Sequence, residues 1–366
     1  MANYLVSIVG GQTLPNILPI KELGTSVQRY IFISTSKVAK ELAWTIQVCG
    51  LKKDDFFNLE VDEDDISQIN KKLTDLSKII FQQEDDFLIN LTGGTKIMAL
   101  GAFQFFSQSQ FRSKMFYLNV GSNILRQVYP TVEPEKRDQT LSYRLNVEEF
   151  LGSYGAKITN SFAINKLVKS KDYTNLFYAN EYSRREIIRE IRKIGADSLL
   201  FDSLDNLVRN TLILFLKEIE FKPIFSDRLT KEERQYLIGG WWEEYCFHQL
   251  QRITGIQEPY MVMGLKNDKT NNELDIVFVK DNVLHVFECK TAVFNKDEFE
   301  DYVYKLAAIK DNKNGFGITV KAFLLAKHFK KNEYTGEFDP TFKRRAQDFN
   351  ITLIDDAMLK SESFQL

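Results

Sequence analysis

Three cysteines and three histidines in 366 residues leave little for a soft-metal centre. Cys49, Cys246 and Cys289 stand far apart in the chain. That excludes a disulfide framework and a cysteine-based zinc module, and it fits a reducing cytosol. His248, His285 and His328 are too few for a histidine-rich site, so any catalytic metal would need carboxylates. No run reaches about 18 apolar residues, so no membrane span is expected. The opening Met1-Ala2-Asn3-Tyr4 has no basic segment, and no secretory signal is expected; the protein reads as cytoplasmic. Repeats of fixed period and low-complexity stretches are missing too. So are the GxxxxGK[ST] phosphate loop and the GxGxxG dinucleotide fingerprint, which leaves ATP hydrolysis and NAD binding poorly supported. A net charge of −2 excludes a surface coated in positive charge, although a local basic groove is compatible with it.

What is present is core-forming. Forty-four per cent of residues are apolar and 27% charged, enough for two domains or three. The first ~145 residues alternate apolar strands (Tyr4–Val9, Tyr30–Ser34, Phe56–Leu59, Asp86–Leu91, Lys114–Asn119) with amphipathic helices (Lys37–Cys49 with Ser36 as N-cap, Ile66–Gln82, Lys96 to about Gln108). This βα alternation predicts a parallel sheet with helices on both faces. Ile124–Tyr129 and Leu141–Val147 read as a hairpin or edge addition. From 148 to 235 the pattern is mostly helical. Arg184, Arg185, Arg189, Arg192 and Lys193 there read as a solvated helix face, with a nucleic-acid contact as the other reading. From 236 the chain reads as a mixed α/β domain built around a hairpin.

That hairpin is the most informative stretch. Glu273–Val279 and Val283–Lys290 flank Lys280-Asp281-Asn282. With Asp281-Asn282 as a two-residue turn, Asp275 stands opposite Glu288, and opposed side chains lie about 5 Å apart. Two carboxylates that close repel unless something positive lies between them. Lys290, two residues beyond Glu288, points to the same face. A divalent ion held by Asp275, Glu288 and the Cys289 carbonyl would remove the repulsion, and hard oxygen donors suit Mg²⁺ or Mn²⁺. Such an ion can polarise a phosphodiester and acidify a water, with Lys290 placed to stabilise phosphate charge. The bland alternative is a solvent-facing hairpin with an ordinary salt bridge. The apolar flanks and the preceding Gly239-Gly240-Trp241-Trp242-Glu243-Glu244 helix weigh against it. Trp241 and Trp242 read better as core anchors than as base-stacking platforms.

This helix and hairpin resemble the PD-(D/E)xK, or restriction-endonuclease-like, nuclease superfamily over residues 236–356. Asp275, Glu288 and Lys290 fall on the motif, Glu243 on the helix carboxylate with Glu244 as the less favoured reading, and Leu274 stands where a proline is often written.

The N-terminal half carries a second signal. Asn90-Leu91-Thr92-Gly93-Gly94-Thr95-Lys96 lies at a strand-to-helix turn, where glycines let backbone N–H groups approach an anion. Alone it reads as a tight βα turn. Gly10-Gly11-Gln12-Thr13-Leu14-Pro15-Asn16 and Ser34-Thr35-Ser36-Lys37 follow the first two strands, at the same carboxyl edge where doubly wound sheets bind ligands. The combination resembles the CARF domain, the CRISPR-associated Rossmann fold. Joined to the nuclease motif, the whole chain resembles a type III CRISPR ancillary nuclease.

The resemblance implies a Rossmann-like CARF domain over 1–147, a helical connector over 148–235 and a restriction-endonuclease-like domain over 236–366. It also implies a homodimer activated by cyclic tetra-adenylate and metal-dependent cleavage of DNA or RNA in antiviral defence. Glu243, Asp275, Glu288 and Lys290 would form the catalytic set. Gln12, Thr13, Asn16, Thr35, Ser36, Thr92, Gly93, Gly94, Thr95 and Lys96 would hold the activator. Two alternatives stand beside it: an unregulated repair or restriction-type nuclease, and a non-enzymatic nucleotide sensor that binds DNA through its basic middle helices.

Overall fold

The computed structural model describes residues 2–160, 170–180, 185–194, 198–270, 273–311, 315–317, 319–361 and 364. The chain divides into two units. The first is Met1–Lys157 with the hairpin tip Val279–Val283; the second is Ile158–Phe278 with Leu284–Leu366. Of the stretch expected as a helical connector, 148–157 falls in the first unit and 158–235 in the second.

In the first unit the order is β1 (Asn3–Ile8), α1 (Leu14–Leu23), β2 (Arg29–Ser34), α2 (Ala39–Cys49), β3 (Phe56–Glu60), α3 (Ile66–Ile80), β4 (Asp86–Asn90), α4 (Lys96–Gln108), β5 (Arg112–Asn119), β6 (Ile124–Tyr129), α5 (Pro134–Arg137), β7 (Asp138–Thr140) and α6 (Val147–Ser153). The sheet runs β3-β2-β1-β4-β5-β6-β7. Its first five strands are parallel, and β6 and β7 add antiparallel at one edge. The central strands are apolar throughout because both faces are covered. Val6, Ile8, Ile31, Ile33 and Ile89 pack with Ile69, Leu73, Met98 and Ala102 of α3 and α4. Leu5 and Phe32 pack with Ile20 and Leu42 of α1 and α2 on the other side. The doubly wound α/β expectation holds.

Two local expectations fail, and one helix stands where none was read. Leu14–Leu23 is a helix despite Pro15 and Pro19. Pro15 sits in its first turn, where the missing N–H costs nothing, and apolar burial of Leu14, Ile17, Leu18 and Ile20 sustains the rest. Ser36 does not cap α2; it opens a 3₁₀ turn, Ser36–Val38, that precedes the helix. No strand spans Leu141–Val147: the edge strand is the shorter β7, and Asn146 caps α6 instead, its side chain accepting from the Glu149 N–H at 2.8 Å.

The second unit opens with α7 (Lys171–Asn180), α8 (Arg185–Lys193), a short ribbon of β8 (Leu199–Leu200) and β9 (Arg228–Leu229), and between them α9 (Asn206–Glu218). Then come α10 (Lys231–Gln235), a π turn (Tyr236–Gly240), α11 (Trp241–Thr254), β10 (Met261–Leu265), β11 (Leu274–Lys280), β12 (Val283–Val293), α12 (Lys296–Ile309), β13 (Lys321–Phe329), α13 (Pro340–Asp348), β14 (Ile351–Asp355) and α14 (Asp356–Lys360). The sheet runs β10-β11-β12-β13-β14, antiparallel for β10–β11 and parallel for β12–β13–β14, a mixed sheet as expected. Trp241, Trp242 and Cys246 of α11 pack with Ile276, Phe278, Phe287 and Cys289. Both tryptophans are core anchors, each no more than 1% exposed. The basic stretch on α8 is a solvated face: it buries Ile187, Ile188 and Ile191 and pairs Arg189 with Glu186 and Lys193 with Glu190. Arg184 lies outside the described residues. Among the described residues no helix is long and apolar enough to cross a membrane.

Candidate functional site

The catalytic candidates sit on a hairpin whose register follows from its turn. Asp281 and Asn282 both adopt positive φ, 53° and 61°, as a two-residue type I′ connection requires. With that turn, Phe278 faces His285, and their rings do stack, with centroids 4.6 Å apart. Ile276, Phe278, Phe287 and Cys289 belong to the core shared with α11. Strand alternation then sends Asp275, Glu288 and Lys290 to the other face.

There the expected cluster assembles. The Lys290 ammonium lies 2.6 Å from Glu288 Oε1 and 3.4 Å from Asp275 Oδ2, so one cation bridges both carboxylates. The Cys289 N–H donates to Asp275 Oδ2 at 2.8 Å, which ties that carboxylate to the neighbouring strand. The Tyr302 ring lies 5.1 Å below the Lys290 ammonium. A cavity of about 340 Å³ opens at the cluster, lined among others by Glu243, Asp275, Glu288, Lys290 and Lys305. Glu243, not Glu244, faces this cavity; Glu244 is buried near His248. Glu243 does not close a third carboxylate ligand position: among the described residues no three His, Cys, Asp or Glu side chains converge on one point.

The electrostatics follow from burial. Desolvation raises the Glu288 pKa and the Asp275 charge raises it further, while Lys290 and Lys305 oppose both. Burial pulls the Lys290 ammonium down, but Asp275 and Glu288 outweigh it and leave its pKa above the ordinary lysine value. The carboxylates therefore compete for positive charge, the condition under which a hard dication binds.

Lys305 was not among the residues read from the sequence. Its ammonium lies 2.5 Å from Glu288 Oε2. The available signal was weak: α12 buries Phe299, Val303, Leu306 and Ile309, and Lys305 flanks that stripe.

The activator candidates divide. Gly10, Gly11, Gln12, Thr92, Gly93 and Gly94 line a second cavity of about 330 Å³, at the carboxyl ends of β1 and β4, where the strand order reverses. The two glycine loops touch: a Cβ on Gly93 would stand 2.0 Å from the Ile8 carbonyl oxygen, so only glycine fits. A further side of the cavity is Tyr117–Gly121, at the carboxyl end of β5, a contribution that sequence reading missed. Thr13, Asn16 and Thr95 each make a contact within the fold. The Thr13 hydroxyl donates to the Ser153 carbonyl at 2.6 Å. Asn16 is fully buried, 3.4 Å from the Asn90 amide nitrogen. Thr95 caps α4, accepting from the Met98 N–H at 3.2 Å. Thr35 is buried, while Ser36 and Lys96 are exposed and not among the residues lining the cavity.

Comparison with known proteins matches both halves. The Card1 CARF domain family matches residues 4–150. The Card1-like endonuclease domain family matches residues 230–361. No curated protein matches the sequence significantly. Among solved structures, Can2 from Sulfobacillus thermosulfidooxidans, determined in complex with cyclic tetra-adenylate, is similar over 96% of this chain and 95% of its own, at 21% identity and a TM-score of 0.69. Protein VC1899 from Vibrio cholerae is similar over 98% of this chain and 95% of its own, at 19% identity and a TM-score of 0.71. A type III CRISPR defence DNA nuclease activated by cyclic oligoadenylate is similar over 95% of this chain but 52% of its own, at 16% identity and a TM-score of 0.57. At these identities the structural likenesses speak for the fold. The two domain matches speak for the family: the chain joins a Card1-type CARF domain to a Card1-like endonuclease domain.

Proposed function

We propose that this protein is a metal-dependent nuclease switched on by a cyclic oligoadenylate bound to its first unit. The observation that carries the reading is the Lys290 ammonium shared by the Asp275 and Glu288 carboxylates on the wall of an open cavity. A purely structural salt bridge has no need of two opposed acids, which repel each other when buried.

Asp275, Glu288 and the Cys289 carbonyl would hold a divalent ion, Mg²⁺ or Mn²⁺, and two carboxylates plus a backbone oxygen fit such a hard cation. Bound there, the ion would polarise the scissile phosphodiester and lower the pKa of a water. The chain's own groups supply the rest. Lys290 offsets charge that builds on the phosphate and orients the attacking water. Glu243, entering from α11, lines the same cavity and orients what binds there. Asp275 is kept in register by the Cys289 N–H, so both carboxylates are set before substrate arrives.

In the first unit, the backbone N–H groups of Gly93, Gly94, Gly10 and Gly11 suit phosphates, with Gln12 and Thr92 toward ribose or base edges. Cyclic tetra-adenylate is the favoured activator, because Can2, similar over nearly the whole chain, was solved with it. We place one ring across the two-fold axis of a cytoplasmic homodimer, with Thr35, Ser36 and Lys96 around it. Ligand binding would shift the dimer toward a cleaving arrangement only by its differential affinity for that arrangement. The role is antiviral defence in a type III CRISPR system.

The test is cleavage of labelled DNA and RNA, single- and double-stranded, with Mn²⁺ or Mg²⁺ and a panel of cyclic oligoadenylates. Cleavage that needs both metal and cyclic tetra-adenylate, and stops with EDTA, is expected. Equal cleavage without activator makes the protein an unregulated nuclease. Activator binding with no cleavage under any metal makes it a sensor.

A further inference from the structure

Glu288 is held by two lysines, one on each oxygen. Lys290 takes Oε1 at 2.6 Å and Lys305 takes Oε2 at 2.5 Å. Lys305 comes from α12, a different element from the hairpin, and both its side chain and that of Lys290 line the cavity beside Asp275. The Lys305 side chain keeps 22% of its surface exposed, so it sits at the rim, not sealed in the core.

The charge balance gives this second lysine a consequence. Asp275 and Glu288 carry two negative charges, and Lys290 and Lys305 carry two positive ones. The four cancel. A dication entering this set must share Glu288 with two ammonium groups, and it is repelled by both. Lys290 occupies the motif position and faces both acids. Of the two acids, Lys305 is paired with Glu288 among the described residues.

We infer that Lys305 is a positioning residue of the nuclease site: a resident counter-cation that fixes the Glu288 carboxylate before a divalent ion binds, and that sets how tightly the ion is held. This rests on the metal-dependent reading above. It makes a prediction of opposite signs. Removing the Lys305 charge removes a cation that competes with the ion, so the ion binds more tightly. The same change frees Glu288 to rotate, so cleavage slows. A lysine that merely supported the fold would, when lost, weaken both.

The experiment uses the full-length protein with Lys305→Met, which keeps the aliphatic stem, Lys305→Gln as a second neutral variant, and Lys305→Arg, which keeps the charge. Thermal melts establish folding. Mn²⁺ affinity is read directly by paramagnetic resonance of free Mn²⁺, without substrate. Cleavage is then measured at saturating Mn²⁺ and cyclic tetra-adenylate. The neutral variants are expected to bind Mn²⁺ about tenfold more tightly. Their kcat should fall at least about tenfold, with the KM for nucleic acid changed less than about twofold. Lys305→Arg should restore both toward the parent. Unchanged or weaker Mn²⁺ binding in a folded neutral variant overturns the inference. So does a rise in KM alone, which would make Lys305 a phosphate contact. Glu288→Gln separates the underlying reading: if the parent holds Mn²⁺ no better than Glu288→Gln, the metal site itself is misplaced, whatever Lys305 does.

Discussion

Replacing Gly93 with alanine tests the sensing crevice at its tightest point. The added methyl would stand 2.0 Å from the Ile8 carbonyl oxygen, 3.1 Å from the Ile8 carbonyl carbon and 3.3 Å from the Gly10 nitrogen. Ordinary carbon contacts begin at about 3.5 Å, so the loops would have to part by more than about 1 Å. All three atoms are backbone, and none is the end of a flexible side chain. Ile8 closes β1, the strand paired with β2 on one side and β4 on the other. The strain cannot be relieved by a rotamer change. Overpacking costs about 1–3 kcal/mol, and a backbone clash belongs at the upper end. For a unit of this size, about 3 kcal/mol lowers Tm by about 6–12 °C. Gly11→Ala is the control: nothing lies within 4 Å of its Cβ, and a stability change within about 0.5 kcal/mol is expected. Calorimetry of both variants gives the Tm of the first unit, and titration with cyclic tetra-adenylate gives affinity. Gly93→Ala should also lose at least about tenfold in binding, since the loop that carries the N–H groups is displaced. A Gly93→Ala protein that melts within about 1 °C of the parent and binds equally well would refute the close approach and the crevice built on it.

Glu288→Ala and Lys290→Ala should each reduce cleavage by about 10³-fold or more while activator affinity stays within about twofold; loss of binding would mean that the two functions are wrongly assigned to separate sites. Lys96→Ala should weaken activator binding about tenfold by titration, and an unchanged affinity removes Lys96 from the proposed set. Burial raises the Glu149 pKa, but hydrogen bonds from Lys21, Tyr143 and the Asn146 N–H overcome it, and the net shift is downward. A depressed folded pKa means that this stabilisation is present above the ordinary glutamate range and fades as pH falls through the folded value. Glu149→Gln should therefore cost about 1 kcal/mol near neutrality and flatten the acid limb of the stability profile, read by urea melts from pH 7 to 3. Burial pushes the Cys49 thiol up to about 12 and raises Cys246 and Cys289 as well. Raised thiols are scarcely ionised near neutrality, so the native protein should react slowly with thiol reagents, the half-buried Cys49 ahead of the buried Cys246 and Cys289; fast labelling of Cys246 or Cys289 before unfolding would contradict this packing.

Much of the catalytic geometry was legible because a two-residue turn converts sequence distance into spatial pairing. Once Asp281-Asn282 is the turn, Asp275 must face Glu288 and Lys290 must share their side. The Phe278–His285 stack is the same pairing seen two residues nearer the turn. The glycine loops were legible for a related reason: a close backbone approach admits no side chain, and glycine records it. What escaped reading has no such local rule. Tyr117–Gly121 reaches the crevice because β5 pairs beside β4, a fact of sheet order and not of its own sequence. Leu14–Leu23 escaped because Pro15 and Pro19 speak against a helix locally, while burial of its apolar residues against the sheet outweighs them. Thr13, Asn16 and Thr95 show a different ambiguity. A polar side chain near a crevice looks the same in sequence whether it faces a ligand or satisfies a buried backbone group. Here Thr13 meets the Ser153 carbonyl and Thr95 the Met98 N–H, since an unmet carbonyl or N–H in the interior is costly, while Asn16 lies against the Asn90 side chain. Lys305 combines both difficulties. It lies on a helix with its own apolar stripe, and only the packing of α12 on the face that carries Glu288 turns one more lysine into the second ammonium of the site.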